Sequence, residues 1–349
     1  MSSLPSVQKA LTATADHKAE VTQVEVPKPN KGEVIIKNEW VALNPTDWKH
    51  IAFISTQGAI SGCDLAGTIV STGEGVSESL VGKRVAGLVH GGVYKDRGAF
   101  QQYTRADPSL QFIVPDNVEL KDASTLGVAT FTSNLALYKT LGLPTPDKPL
   151  SQPKDILIWS GATSVGQHAI QLAKLSGLRV ITTASEKNHA LLRSLGADEV
   201  FDYKDEQVVQ KIKKATNNQL ELGLDCISEK GSVELSTDSF GSNGGRLTLL
   251  LPYAQEKVRS DVKLQPVLAY TITGTEFTLF GKRYPAIPED HEDAANWTKK
   301  LTQILASGKL KFIKTTELKG GLESIIEGFE KLSSGKVSGE KLVYNVSSL

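Results

Sequence analysis

The chain is poor in cysteine. Its 349 residues include two, Cys63 and Cys226, and no C-x-x-C pair, which argues against a disulfide scaffold and a structural zinc knuckle. It carries no net charge, with 39 Lys and Arg against 39 Asp and Glu, so it lacks the electrostatic footprint of a nucleic-acid or anionic-membrane binder. It has no long apolar run. Stretches such as Leu247–Leu251 fall far short of the roughly 20 residues a membrane helix needs. Lys9 and His17 stand near the N-terminus without an apolar stretch or an Arg-rich amphipathic pattern, so no export or organelle address is expected, and a cytoplasmic location is. Internal repeats and low-complexity segments are missing as well. What remains is an ordinary globular composition, 40% hydrophobic and 22% charged, in a chain long enough for two domains and a sizeable core.

The densest signal runs from Asp155 to Lys174. An apolar run, Ile156–Trp159, is too short for a helix and stops at a small-residue turn, Ser160–Gly166. Val165, Ile170, Leu172, Ala173 and Leu175 then follow on a roughly helical period. Strand, glycine turn and helix form the setting in which a G-x-x-x-x-G spacing holds a dinucleotide pyrophosphate on a helix N-terminus. Thr163 stands where the usual fingerprint has its middle glycine, so the turn alone fits a plain strand-to-helix connection equally well. The downstream pattern favours the nucleotide. Strands are expected at Leu178–Ala184, Glu199–Tyr203, Leu220–Ser228, Gly245–Pro252 and Tyr270–Phe280, with helices at Lys187–Gly196 and Asp205–Asn217. That alternation predicts an α/β fold with a doubly wound parallel sheet, its ligand at the carboxyl ends of the strands.

The first 125 residues have another texture. Short runs such as Glu33–Lys37, Ala66–Thr72, Arg84–Val89 and Phe100–Arg105 alternate with Gly, Pro and Asp turns, as in a compact β-barrel-type domain. Helical pattern resumes at Asp122–Leu141, and the linker Gly142–Pro153, with four prolines, enters the first strand of the parallel sheet. After Phe280 the expected elements are a helix at Glu289–Ser307, a strand at Lys311–Thr315, a helix at Gly321–Ser333 and a strand at Lys341–Val346. The plan is a β-rich domain built from 1–125 and 284–349, with a nucleotide-binding domain, 126–283, inserted between.

Several blocks carry a resemblance. Gly62-Cys-Asp-Leu-Ala-Gly-Thr-Ile-Val-Ser-Thr-Gly-Glu-Gly-Val76 is similar to G-x-E-x-x-G-x-V-x-x-x-G-x-x-V, with Asp64 and Ile69 as conservative departures. Gly98–Tyr103 is similar to G-x-[FY]-A-[EQ]-Y, Leu126–Leu137 to a segment ending T-A-x-x-A-L with Ser133 for one Ala, and Ser334–Val343 to a C-terminal block. In this order, with the glycine turn, they resemble the medium-chain dehydrogenase/reductase superfamily over nearly the whole chain. The similarity is greatest to its zinc-independent quinone oxidoreductase and enoyl reductase branch, fungal members with Asn-Pro-Thr-Asp-Trp-Lys in particular. The resemblance implies a Rossmann sheet inserted in a GroES-like domain.

It also implies where the chemistry sits. Zinc-dependent members use a Cys in C-x-[ST]-D and a His in G-H-E; here those positions are Asn44, in Asn44-Pro-Thr46-Asp47, and Cys63, in Gly62-Cys63-Asp64. Catalytic zinc needs about three protein ligands, so a metal-free enzyme is expected, with Cys63 read as a small core residue and a redox thiol as the alternative. Hydride transfer to a conjugated acceptor suits such a site, because charge delocalised as an enolate or quinol needs only hydrogen-bond donors. Asn44 and Thr46 are the candidate donors, with the proton arriving from a tyrosine or water; an Asx turn at Asn44-Pro45 is the plainer alternative. Thr132 matches the position that meets the nicotinamide, or is a helix Thr bonded to its own backbone. Trp48 lines the acceptor pocket or is an ordinary half-buried aromatic, His50 reads as a surface histidine, His168 as structural, and Lys341 is assigned to the cofactor.

Gly161, Ala162, Thr163, Ser164, Val165 and Gly166 form the expected pyrophosphate turn. For the cofactor's other end, NAD enzymes place a carboxylate after the second strand. Glu186 could be that group, but Ser185 comes first in the loop, and Ser185, Lys187 and Tyr203 resemble the branch's site for the adenosine 2′-phosphate. NADPH is therefore the expected cofactor. The reading is an NADPH-dependent reductase of a small conjugated carbonyl (quinone, enal or enone), with a homodimer through Tyr270–Phe280 as one expected assembly. The alternatives are a metal-free aldehyde or alcohol dehydrogenase, a non-catalytic NADPH-binding protein, and a trans-acting partner of a polyketide synthase.

Overall fold

The computed structural model describes residues 4–347. It divides into two units, 1–128 with 270–349, and 129–269. The segment 270–283, expected in the inserted domain, belongs to the first unit.

The second unit is a six-stranded parallel sheet. Numbered within the sheet, the strands are Asp155–Trp159, Arg179–Thr183, Glu199–Phe201, Leu222–Asp225, Gly245–Leu249 and Val262–Pro266, and they lie side by side in the order 3-2-1-4-5-6. The inner strands are apolar because helices cover both faces of such a sheet, and Leu157, Ile181, Leu220, Val233, Phe240, Leu247 and Val262 form its core. The strand expected at Tyr270–Phe280 is a correction. Ala269–Thr273 is a 3-10 turn, and Phe277–Leu279 pairs with Lys282–Tyr284 in a small hairpin. The β-branched run Thr271-Ile272-Thr273 favours a strand locally, but Thr273 Oγ1 bonds back to the Tyr270 carbonyl at 2.9 Å, and Gly274 at φ +63° ends the segment. A twofold pairing through that strand loses its basis. The true sixth strand, Val262–Pro266, escapes a reading by apolar runs because it is an edge, with Lys263 exposed and Pro266 lacking the N–H an outer neighbour would need. A helix at Ser232–Asp238 was also not expected.

In the first unit Val34–Ala42 is the organising strand, pairing with Asp64–Thr72, Glu340–Asn345 and Tyr103–Ala106. Its β-branched residues Val34, Ile36 and Val41 enter a core with Leu11, Leu65, Val85, Phe100, Phe329 and Tyr344. The strand runs directly into Asn44-Pro45, and the fixed φ of proline suits the first turn of the helix Pro45–Phe53. That junction, the start of Asp64–Thr72 and the start of Glu340–Asn345 bring three sequence-distant stretches to one place.

Candidate active site

The first unit holds a buried polar cluster at that junction. Lys341 lies on the strand Glu340–Asn345, and its ammonium donates to Asp64 Oδ2 at 2.5 Å, Asn44 Oδ1 at 2.9 Å and the Thr125 carbonyl at 3.2 Å. Asp64 Oδ1 accepts from the Val128 N–H at 2.6 Å. The Lys341 and Asp64 side chains are 2% and 0% exposed. A buried pair of this kind persists only when its remaining hydrogen-bonding capacity is met, as it is here. All three donors of Lys341, the residue expected at the cofactor, are engaged inside the first unit.

Beside the pair, Thr46 and His50 share one helix face at i, i+4 spacing. The Thr46 hydroxyl lies 2.6 Å from the Tyr270 phenol oxygen and 3.4 Å from His50 Nε2. His50 is buried rather than on the surface, and its Nδ1 donates to the Gly91 carbonyl at 2.9 Å. Gly91 is required there: a Cβ on it would come 1.9 Å from the Gly62 carbonyl oxygen, and this backbone approach brings Cys63 and His90 into the same cluster. Cys63 Sγ is 3.4 Å from the Tyr270 hydroxyl, and the His90 ring stacks on Tyr270 at 3.8 Å with 10° between the planes. Nε2 of His90 has no hydrogen-bond partner among the described residues.

Burial sets the electrostatics. It pushes the Cys63 thiol and the Tyr270 phenol well up, so both are neutral at ordinary pH. It also holds His50 down and His90 down to about 3, the latter helped by His50. Asp47 is raised to about 7 by desolvation, despite accepting the Asn44 N–H at 2.7 Å. Neutral hydrogen-bonding groups therefore surround Thr46, with the Lys341–Asp64 pair alongside. Cys63 is not a thiolate. Trp48 packs partly buried against the apolar core, near Phe53, and one cleft of about 320 Å3 in this unit has walls that include His90, Tyr94, Arg97 and Thr273.

In the second unit the turn expected from the sequence is tightly closed. Ser160 adopts φ +63°, Thr163 caps the helix Ser164–Leu175 by accepting the Gly166 N–H at 3.0 Å, and its hydroxyl donates to the Ser160 carbonyl at 3.0 Å. A Cβ on Gly166 would stand 2.7 Å from Gly161 Cα and from the Ser160 oxygen, so the backbone folds tightly onto itself at the start of the helix. Ser185, Lys187 and Tyr203 stand just past the ends of two adjacent strands, Arg179–Thr183 and Glu199–Phe201, with Lys187 and Tyr203 exposed. Thr132 is buried on the helix Gly127–Asn134, and His168 donates to the Ser164 carbonyl at 2.7 Å, a structural bond.

The structure thus joins Asn44, Thr46, Cys63 and Lys341 in one unit, and the glycine turn with the Ser185, Lys187 and Tyr203 ends in the other. The sequence reading missed Tyr270, His90 and Asp47. Asp47 was within the quoted motif, whereas Tyr270 was hidden by its β-branched neighbours and no pattern marked His90.

Comparison with known proteins fits this construction. Residues 30–116 match the family described as alcohol dehydrogenase GroES-like domain, and 164–300 the one described as zinc-binding dehydrogenase. The trans-enoyl reductase ACTTS2 of Alternaria alternata is 37% identical over 343 residues, covering 97% of this chain and 99% of its own. The trans-enoyl reductase xenG of Xenoacremonium sinensis is 38% identical, covering 98% and 96%. The fold is shared with the CurK enoyl reductase (TM-score 0.77, 21% identity, 97% and 98% covered) and the Coxiella burnetii quinone oxidoreductase (0.75, 22%, 97% and 99%). The chain belongs to the medium-chain dehydrogenase/reductase superfamily, in its enoyl reductase-like branch. It is a reductase of that family, with a GroES-like domain and a parallel-sheet nucleotide unit. No helix among the described residues is long and apolar enough to cross a membrane, and no group of three or more His, Cys, Asp or Glu among them is placed to hold a metal.

Proposed function

We propose that this protein is an NADPH-dependent reductase, working without zinc, that delivers hydride to an acceptor conjugated with a carbonyl. The observation that carries the reading is the cluster around Thr46 and Cys63, where neutral hydroxyl, phenol, thiol and imidazole groups replace a metal ligand set. A simple carbonyl needs strong polarisation, whereas an enolate or quinol spreads its charge and needs only fixed donors. Asn44 is the donor candidate. Lys341 takes its Oδ1, and its Nδ2 makes a 3.5 Å contact to the Ala42 carbonyl.

The Ser160–Gly166 turn is the proposed seat of the pyrophosphate, Thr132 faces the nicotinamide end, and Ser185, Lys187 and Tyr203 bind the 2′-phosphate. A hydroxyl, an ammonium and a phenol suit that dianion, where a carboxylate would repel it. Bound, the reduced nicotinamide supplies the hydride. The names of the relatives favour an enoyl acceptor over a quinone.

The test is oxidation of NADPH and NADH against quinones, enals, enones, an unsaturated thioester and simple aldehydes. Turnover with conjugated acceptors and NADPH is expected. Equal turnover of simple aldehydes would favour a dehydrogenase, and cofactor binding without any turnover would favour a non-catalytic NADPH-binding protein.

A further inference from the structure

The cleft of about 320 Å3 is lined entirely by residues of the first unit, and one of them has a nitrogen with nothing to bond. His90 is 3% exposed, and its Nε2 has no hydrogen-bond partner among the described residues. Folded proteins leave few buried polar atoms unpaired, because an unmade hydrogen bond costs the full desolvation of the group. An orphaned nitrogen on a residue that walls a cleft large enough for a small molecule marks a place where a ligand completes the bonding.

The charged groups of the cleft sort by whether they are already used. Arg105 Nε lies 3.0 Å from Glu33 Oε2, and another nitrogen of Arg105 reaches Asp96. Asp107 is held by His291 Nε2 at 2.7 Å and by the Ser109 hydroxyl at 2.7 Å. Lys31 pairs with Glu74 at 2.8 Å on the exposed surface. Arg97 is different. Its ion-pair contact among the described residues is a long one, from Nε to Asp96 at 3.4 Å, which leaves the terminal nitrogens of the guanidinium for another partner. That guanidinium sits over the Tyr94 ring at 4.8 Å, and the same ring meets His90 edge-on at 5.8 Å. Tyr94 thus holds a cation and an orphaned imidazole beside each other. Burial, with His50 and Arg97 nearby, keeps the imidazole neutral, so it carries one N–H, and at Nε2 that N–H is a donor in need of an acceptor.

We propose that Arg97 and His90 form an oxyanion site, in which the guanidinium pairs with a carboxylate or phosphate and His90 Nε2–H donates to the same group. The inference deepens the reductase reading and rests on it in one respect, that the anion belongs to the acceptor. His90 stacks on the Tyr270 ring, whose hydroxyl oxygen lies 2.6 Å from that of Thr46. An oxyanion at His90 is therefore one aromatic ring away from the cluster read as the reacting site. The acceptor that fits is conjugated at one end and anionic at the other. Its anionic end takes no part in the chemistry and selects among acceptors of equal reactivity.

The test compares enones of one chain length that end in a carboxylate, in a phosphate monoester or in the methyl ester of the carboxylate. They are reduced with NADPH in a phosphate-free buffer of low salt. The parent is expected to show a KM about 10–100-fold lower for an anionic form than for the ester, with kcat differing far less. Arg97→Gln should bring that ratio toward unity, and Arg97→Lys should restore part of it. His90→Phe keeps a ring on Tyr270, removes Nε2 and should reduce the ratio several-fold. The better bound of carboxylate and phosphate identifies the group. Calorimetric titration with the saturated carboxylate, which has no conjugated double bond to reduce, measures the site without turnover, and its affinity should fall by a similar factor in Arg97→Gln. If that variant has a lowered thermal midpoint, Arg97→Lys and His90→Phe carry the comparison. Parent KM values that ignore the charge, or a preference that survives Arg97→Gln, overturn the site and leave the reductase reading intact. A parent that reduces no enone overturns the reductase reading, and the titration still decides the site. Carboxylate binding that is lost in Arg97→Gln supports it, and absence of binding to the parent overturns it.

Discussion

Replacing Lys341 with Met removes an ammonium and little volume. The Lys341 and Asp64 side chains are 2% and 0% exposed and meet at 2.5 Å, so the change leaves a carboxylate in the interior without its countercharge. It also removes the donor from Asn44 Oδ1 and the Thr125 carbonyl. Breaking a buried pair on one side costs about 3–5 kcal/mol, against a total of about 5–15 kcal/mol for a typical folded domain. The variant should lose about a fifth or more of the first unit's stability. Removing both charges, Asp64→Asn with Lys341→Met, takes away the unpaired charge and should recover at least half of the loss. Urea unfolding followed by tryptophan fluorescence reports on this unit, because Trp40 lies in the strand beside Glu340–Asn345. A single variant as stable as the parent, or a double variant no better than the single, would refute the reasoning. If Lys341→Met instead weakened NADPH binding with stability unchanged, Lys341 would return to the cofactor.

Asp47 should make the protein less stable as pH rises. Burial lifts its folded value to about 7, above the ordinary ~3.9 of the unfolded chain, so the native state holds a proton that the unfolded state releases between about pH 4 and 7. Stability falls through that window by at most about 4 kcal/mol; Asp47→Asn should flatten the profile in denaturation at pH 5 and 8, and an unchanged slope would remove Asp47 as its cause. Lys187→Ala should weaken NADPH by about 1.5–3 kcal/mol and leave NADH nearly untouched in a fluorescence titration; equal weakening of both would contradict the 2′-phosphate assignment. Gly166→Ala, whose Cβ would stand 2.7 Å from Gly161 Cα, should impair binding of both cofactors, and parent-like affinity would mean the turn is not the pyrophosphate seat. Elemental analysis should find no stoichiometric zinc and chelator should leave activity intact; one zinc per chain, lost together with activity, would reverse this.

The parallel sheet was legible because its inner strands are buried on both faces and read as unbroken apolar runs, Ile156–Trp159 and Leu247–Leu249 among them. Its edge was not, since Val262–Pro266 is only half buried and resembles a loop. The turn residues followed from backbone chemistry alone, glycine where chain meets chain. The buried polar cluster was legible only in its Asn44–Asp47 arm, a continuous motif. Tyr270 and His90 reach it through contacts between residues up to 224 positions apart, and a local preference for strand at Thr271–Thr273 pointed away from the answer. Lys341 was found by motif, but its pairing with Asp64 was not, because a motif names a residue without saying which of several anions its charge will meet.

The order of the strands has a consequence for synthesis on the ribosome. The second unit is one uninterrupted stretch, so it can fold once residue 269 has emerged. The first unit cannot close its sheet at that point. Its strand Glu340–Asn345 lies between Lys314–Glu317 and Val34–Ala42, so the partner of Val34–Ala42 arrives roughly three hundred residues after it. Until then that edge is bare and Asp64 has no ammonium, which makes the nascent first unit the stretch most exposed to mispairing. Slow closure of long-range strand pairs is the expected limit on folding rate, and translation that stalls before residue 340 should yield a chain with a sound nucleotide unit and no functioning site.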